Sequence, residues 1–396
     1  MIASGAKVSK VCVLVCDSWG VGDAPDAEAY GDVGANTLGA TSRAVGGFRV
    51  PNLEALGIGL LTPVLGVEAR AEPGTAHGRA TQVSAGKDTT TGHWEMMGIR
   101  LDRPFPLYPD GFPPEIIQPF EEAIGRRVLG NVPASGTEII ERLGEEHLRT
   151  GDPIVYTSGD SVFQVATHVR VVPLDQLYEW CRVARGLLTG RHAVGRVIAR
   201  PFEGVPGAFV RRPERRDLSM PPPGPTVLDR LEEAGVAVIG IGKIQDIFDH
   251  RGITEAAYSD SNEHGITLTI ERLAGPSPSL VFTNLVDFDS KYGHRNDPQG
   301  YAGAVEALDR HLPELIGALG GGVLMMTGDH GCDPTTASTD HTRERTPLLV
   351  GGLRGGPYDV GTRTTFGDLG CTVADLLGVD VDGLLGRSFA REMGVG

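Results

Sequence analysis

The sequence predicts an α/β protein, with a mostly parallel sheet flanked by helices and a smaller α+β domain inserted part-way along the chain. Three observations carry this. Short apolar, β-branched runs each end in polar residues, helical patterns lie between them, and one central stretch departs from the alternation before closing in prolines. Continuous apolar runs suit strands buried on both faces of a parallel sheet. Alternation of strand and helix is the signature of the α/β class.

In chain order, "KVCVLVCD" predicts a first strand ending at Asp17. From about Pro104 to Pro223 the pattern is of helices with little strand between them: "PPEIIQPFEEAIGRR", "SGTEIIERLGEEHLRTG" and "PLDQLYEWCRVARGLL", then "GRVIARPF" as a strand. The stretch closes in "SMPPPGP", which has the composition of a linker. Residues 104–220 are therefore expected to form an inserted domain, and 1–103 with 221–396 the core. "PTVLDRLEEAG" opens with Pro and closes with Gly, as helices do. "VAVIGIGKI" predicts a strand reaching Lys243, "SLVFTNLVDFD" one ending in Asp287 and Asp289, and "GGVLMMTGDH" one ending in Asp329 and His330. "GYAGAVEALDRHLPELIGALGG" repeats apolar residues at helical spacing, and "LGCTVADLLGV" predicts a last helix.

Composition narrows the partners. A formal net charge of −15 over 396 residues argues against nucleic acid or an anionic membrane, both of which need a positive field, and favours a small molecule. The longest apolar runs fall far short of the roughly 20 residues that cross a bilayer, and no signal-peptide pattern precedes Asp17. The five cysteines, Cys12, Cys16, Cys181, Cys332 and Cys371, are scattered and form no CxxC pair, so a reducing cytoplasm fits best.

Open α/β sheets bind ligands beyond the carboxyl ends of their strands, where Asp17, Asp289, Asp329 and His330 all fall. Adding His294 from "DFDSKYGHRND" and His341 from "TDHT" gives three carboxylates and three imidazoles. One "DH" alone is commonly loop punctuation, but two within twelve residues behind a buried strand, with matching acids behind two others, point to a pair of divalent cations. With neutral imidazoles such a site keeps net positive charge and attracts phosphate or sulfate. Oxygen and imidazole donors without thiolate favour Mn²⁺, Zn²⁺ or Fe²⁺. Asp340 either orients His341 or caps a turn, and Asp287 is equally open.

"GKDTTTGHWEMMG" sets three hydroxyls, Thr89, Thr90 and Thr91, between "KD" and Gly. A threonine is a poor nucleophile until a metal ion or base activates it. The alternative for such a run is a helix cap, Thr with a later Glu.

These residues resemble the bacterial phosphopentomutase family, of the alkaline phosphatase superfamily of metalloenzymes. The resemblance runs over almost the whole chain through "VCDSWGVGDAPDA", "GKDTTTGHWEMMG", "FPLYPDGFP", "YTSGDSVFQVATH", "GRVIARPF", "GIGKIQDIFDHRGIT", "NLVDFDSKYGHRND" and "GDHGCDPTTASTDHTRERTPLLV". It implies an alkaline-phosphatase-like core with the inserted domain as a substrate-recognising lid. One metal would be held by Asp17, Asp329 and His330, the other by Asp289, His294 and His341, with Thr89 between them carrying the phosphoryl group. Ser158, Asp160, Arg196 and Lys243 would contact substrate. The implied cofactors are two manganese ions, with a sugar bisphosphate such as glucose 1,6-bisphosphate as priming activator. The implied activity interconverts α-ribose 1-phosphate, or its 2-deoxy form, with the 5-phosphate through a bisphosphate intermediate. Two departures stand out: Cys332 where asparagine is expected, and Thr90 where a bulkier residue is usual. Rival readings are a phosphatase, a sulfatase or a bisphosphate-independent phosphoglycerate mutase on the same scaffold, or a metal-binding module without catalysis.

Overall fold

A computed structural model describes residues 7–158, 161–275 and 277–395. The chain divides into two compact units, Met1–Pro104 with Pro222–Gly396, and Phe105–Pro221. Its strands in chain order begin with β1 (Lys10–Cys16) and β2 (Thr75–Ala80). The second unit holds β3 (Leu129–Pro133), β4 (Ile154–Thr157), β5 (Val162–His168), β6 (Arg196–Glu203), β7 (Val210–Arg211) and β8 (Arg216–Ser219). The first unit resumes with β9 (Ala237–Ile241), β10 (Glu255–Ala257), β11 (Ser279–Leu285), β12 (Val323–Thr327), β13 (Thr346–Gly351) and β14 (Tyr358–Arg363).

The first unit is an eight-stranded sheet in the order β10-β9-β11-β1-β12-β13-β2-β14. It is mostly parallel, as predicted; only β13 runs antiparallel to its neighbours β12 and β2. β1 sits in the middle, parallel to β11 on one side and β12 on the other. That placement explains the apolar run: Val11 to Cys16 are all fully buried. Cys12, Leu14 and Cys16 pack into a core shared with the helices Asn262–Leu273 and Pro298–Ala318, and the helix Gly367–Leu377 also packs against β1. Each apolar side chain removed from water contributes about 1.5–3 kcal/mol. The parallel order of β9, β11, β1 and β12 puts all four carboxyl ends at one edge, which positions the site.

The second unit is a six-stranded sheet, β3-β4-β5-β6-β7 with β8 also pairing β6. The helices Pro114–Ile124 and Leu174–Leu187 bury one face around Phe163, Val165, Val197 and Ala199. The helix Gly136–Thr150 covers the other around Ile154, Tyr156, Ala166 and Phe202. Here the expectation of helices with little strand between them is corrected. β3, β7 and β8 read "LGNVP", "VR" and "RDLS" and carry no apolar run; pairing with neighbours makes them strands. β4 is apolar but only four residues long, and β5, "VFQVATH", mixes Gln, Thr and His into its apolar run. Among the described residues all five cysteines are free and buried, and no helix is long and apolar enough to cross a membrane.

Candidate active site and metal centre

At the carboxyl edge of the large sheet, Asp17 follows β1 and is fully buried. One of its oxygens, Oδ2, accepts from Asn284 Nδ2 at 3.0 Å; the other, Oδ1, has no hydrogen-bond donor and lies 3.4 Å from His330 Nε2. Asp329, two residues beyond β12, is equally buried. Its Oδ1 accepts the Ser18 N–H at 3.1 Å, while Oδ2 stands 3.5 Å from His330 Nε2 and 3.2 Å from His93 Nδ1. Asp289 enters from a π-helical turn, Phe288–Tyr292, that directly follows β11. Its two oxygens lie 3.3 Å from His294 Nε2 and 3.4 Å from His341 Nε2, and those two nitrogens are 3.1 Å apart. His341 stacks on His330 with ring centroids 3.9 Å apart, which joins the two groups.

The tautomers decide what this cluster lacks. His294 Nδ1 is 2.6 Å from the Thr339 carbonyl and His330 Nδ1 is 3.1 Å from the Gly331 carbonyl, so in the neutral rings Nδ1–H donates to backbone and Nε2 carries a lone pair. Those lone pairs face carboxylate oxygens. Two acceptors at 3.3–3.5 Å need a cation or a proton between them, and Asp17 Oδ1, Asp289 Oδ1 and Asp329 Oδ2 are all buried without a hydrogen-bond partner. The donor set fits divalent cations: Asp17, Asp329 and His330 offer atoms within 4.8 Å of one another, and so do Asp289, His330 and His341. Burial, with Asp329 and Asp289 nearby, drives the Asp17 carboxyl well above its usual range. Burial acts on Asp289 in the same sense but His341 outweighs it and holds that carboxyl well below. Burial opposes charge on His341, yet the Asp289 carboxylate pushes the imidazole up to about 10. Carboxylates and imidazoles here stand in for one another's missing counter-charge, as expected of a buried ligand cluster.

Thr89 opens the helix Thr89–Met96, capped by Asp88. Its hydroxyl lies 3.3 Å from His330 Nε2 and, with that nitrogen an acceptor, donates to it. Thr91 is turned away: its N–H and its hydroxyl donate to the Asp88 carboxylate at 3.0 and 2.6 Å. The expected threonine cap is corrected: Asp88 caps the helix and Thr91 only donates to it, while Thr89 is the threonine of the run whose hydroxyl faces the cluster. His93, one turn on, reaches the Thr89 carbonyl at 2.8 Å as well as Asp329.

The family profile of the Metalloenzyme superfamily matches residues 9–381. The phosphopentomutase of Carboxydothermus hydrogenoformans is 53% identical over 98% of this chain and 100% of its own length. That of Anaeromyxobacter dehalogenans strain 2CP-1 is 57% identical over 97% of this chain and 99% of its own. The chain belongs to the phosphopentomutase family. Membership makes it an enzyme of the isomerase class, an intramolecular phosphotransferase, on an alkaline-phosphatase-like fold. Among solved structures, phosphoglycerate mutase of Leishmania mexicana aligns over 96% of this chain and 97% of its own at 14% identity, with a TM-score of 0.48.

Of the other residues read from the phosphopentomutase resemblance, Lys243 follows β9 half-buried, near enough to Asp17 for its charge to favour the carboxylate. Ser158, just past β4, and Arg196, first in β6, belong to the second unit; Arg196 is ion-paired with Asp217 at 3.4 Å. Asp160 lies outside the described residues. Asp340 caps a turn, accepting the His341 N–H at 2.9 Å, and pairs with Lys87 at 3.1 Å. Asp287 accepts from Lys291 and from the Asn262 N–H, away from the cluster. Cys332 is buried, with its sulfur within 4.8 Å of ligand atoms of Asp289 and His294. The sequence reading did not single out His93 or Arg343. Nothing in their local patterns separates them from an ordinary helix residue and an ordinary turn arginine.

Proposed function

We propose that this chain interconverts α-ribose 1-phosphate or 2-deoxyribose 1-phosphate with the corresponding 5-phosphate, through a phosphothreonine at Thr89 and a sugar bisphosphate intermediate. The observation that carries the reading is the Thr89 hydroxyl, 3.3 Å from His330 Nε2 at the rim of three buried carboxylates with unpartnered oxygens. Asp17, Asp329 and His330 would hold one divalent cation and Asp289, His294 and His341 the other, manganese being the expected ion. Bound there, the pair would supply Lewis-acid charge stabilisation for an in-line phosphoryl displacement.

Phosphothreonine 89 gives its phosphoryl group to the free hydroxyl of the sugar phosphate: the P–Oγ bond breaks as a P–O bond to the sugar forms. In net, the proton of the sugar hydroxyl ends on Thr89 Oγ, the oxygen that the phosphoryl group leaves. The bisphosphate turns over and returns its other phosphoryl group to Thr89, so product and phosphoenzyme appear together. Asp88 fixes the helix start, and His93 holds the Thr89 carbonyl against Asp329, so the hydroxyl moves little between the two transfers. Residues 104–220 act in this reading as a lid that recognises substrate through Ser158, Asp160 and Arg196 and excludes water, since water competes with the sugar for the phosphoryl group. A sugar bisphosphate of the glucose 1,6-bisphosphate type primes the dephosphorylated enzyme.

The test is mass spectrometry after incubation with glucose 1,6-bisphosphate and Mn²⁺. One added phosphoryl group on Thr89, lost in Thr89→Ala with metal content retained, is the expected result. Label on Thr90 or Thr91, or release of free phosphate as main product from ribose 1-phosphate, would overturn it.

A further inference from the structure

Arg343 is among the largest fully buried side chains of the protein, 2% exposed, and stands two residues after His341. A buried guanidinium must place five N–H donors, and every one here finds an acceptor. Nε and Nη2 grip the Asp26 carboxylate at 2.9–3.2 Å. The remaining bonds all go to the segment that leads into Thr89: Nη2 donates to the Gln82 carbonyl at 3.0 Å, and Nη1 to Gln82 Oε1 at 2.7 Å, the Ser84 carbonyl at 2.9 Å and the Gly86 carbonyl at 2.8 Å. The carbonyls of Gln82, Ser84 and Gly86 converge on one guanidinium although the chain bends at Ser84 and Ala85 and has no strand partner there, so the guanidinium is what satisfies them. Tyr30, whose ring lies 4.8 Å beneath the guanidinium carbon, takes the intervening Ala85 carbonyl with its hydroxyl at 3.0 Å. A second tie runs outside this one: Lys87 Nζ bridges Asp32 and Asp340 at 3.1 Å each, and Asp32 also accepts the Arg343 N–H at 2.8 Å.

We propose that Arg343 is a positioning residue for phosphoryl transfer, its guanidinium binding the Gln82–Gly86 segment that carries Thr89 to the loop that carries His341. The inference rests on Thr89 being the nucleophile. Several features favour it over a purely structural role. Three of its acceptors are backbone carbonyls within the last seven residues before Thr89, and its own backbone lies next to the His341 loop. A lysine at 343 has one ammonium and cannot reach acceptors on both sides of a planar fork.

The experiment uses full-length enzyme with Mn²⁺ and ribose 1-phosphate. Arg343→Ala is expected to lower kcat about 100-fold, the scale of a misplaced reacting group, with KM for the sugar phosphate and metal content near wild type. Millimolar guanidinium chloride, against sodium chloride at equal ionic strength, should restore much of the rate, and methylammonium should not. Wild-type kcat in folded Arg343→Ala, or guanidinium that raises the melting temperature and leaves kcat unmoved, overturns the proposal. Should Arg343→Ala not fold, Tyr30→Phe decides: a fall in kcat of about fivefold, the worth of one neutral hydrogen bond, supports it and an unchanged kcat sinks it. Phosphoryl label away from Thr89 in the wild-type enzyme would overturn the nucleophile assignment and this inference together, whereas label on Thr89 with unchanged Arg343→Ala kinetics overturns this inference alone.

Discussion

Both units bury histidines, and they do so in opposite ways. In the second unit His147 donates Nδ1–H to the Asp152 carbonyl at 2.7 Å and accepts the His168 N–H on Nε2 at 2.8 Å. His168 in turn gives Nε2–H to the Gly204 carbonyl and accepts the Arg170 N–H on Nδ1. All four ring nitrogens are satisfied by backbone, and the rings pack against Phe202. In the first unit buried His330 satisfies one nitrogen with a carbonyl and aims the other at Asp17 Oδ1 and Asp329 Oδ2, which lack donors. A buried imidazole satisfied on both sides is a strut; one with a lone pair facing a bare carboxylate has the geometry that a bound cation would complete.

The sharpest break between the two is expected in activity. Asp289→Ala should lower kcat by about 10³-fold or more, because several kcal/mol of transition-state charge stabilisation go with the ligand, and metal content should fall in parallel. His147→Gln should leave both unchanged; a loss of metal there would erase the distinction. Stability should divide the opposite way. His147→Ala orphans the Asp152 carbonyl and the His168 N–H inside a packed face, at a cost of about 3 kcal/mol in a denaturant titration. Asp17→Asn, measured after chelation, should instead raise the melting temperature by about 2–4 °C, since burial and the neighbouring Asp329 and Asp289 disfavour the charge that it removes. A lower melting temperature would mean that the cluster is satisfied without metal.

The smallest effect is a pH slope. Burial lowers the pKa of His147, and of His168, below the ordinary 6.5, so the unfolded chain binds those protons first. Their contribution to stability is full above pH 6.5 and declines as pH falls toward the folded values. Acid titration of unfolding should therefore weaken the wild type below pH 6.5 more than His147→Gln.

The sheet's middle was legible because β1, β9, β11 and β12 are buried on both faces and so read as unbroken apolar runs. Its far side was not: β2 reads "TAHGRA" and β14 "YDVGTR", small and polar residues that pairing alone makes strands. The acids and imidazoles of the site were legible for the same reason as β1, since each follows a readable strand or sits in an Asp-His pair. Arg343 and His93 were not, because what distinguishes them is what they touch across the fold, and sequence spacing carries no trace of one guanidinium bonding Gln82, Ser84 and Gly86.

The place of β1 between β11 and β12 also sets the order in which the molecule is made. When β1 leaves the ribosome, the strands that flank it, residues 279–285 and 323–327, are still unwritten, and at roughly 5–20 residues per second they arrive tens of seconds later. The stretch Phe105–Pro221 is uninterrupted and finds every strand partner within itself. During synthesis the inserted unit can mature first, while β1, apolar from Val11 to Cys16, waits exposed for its neighbours, a window in which chaperone capture bears on this protein's yield.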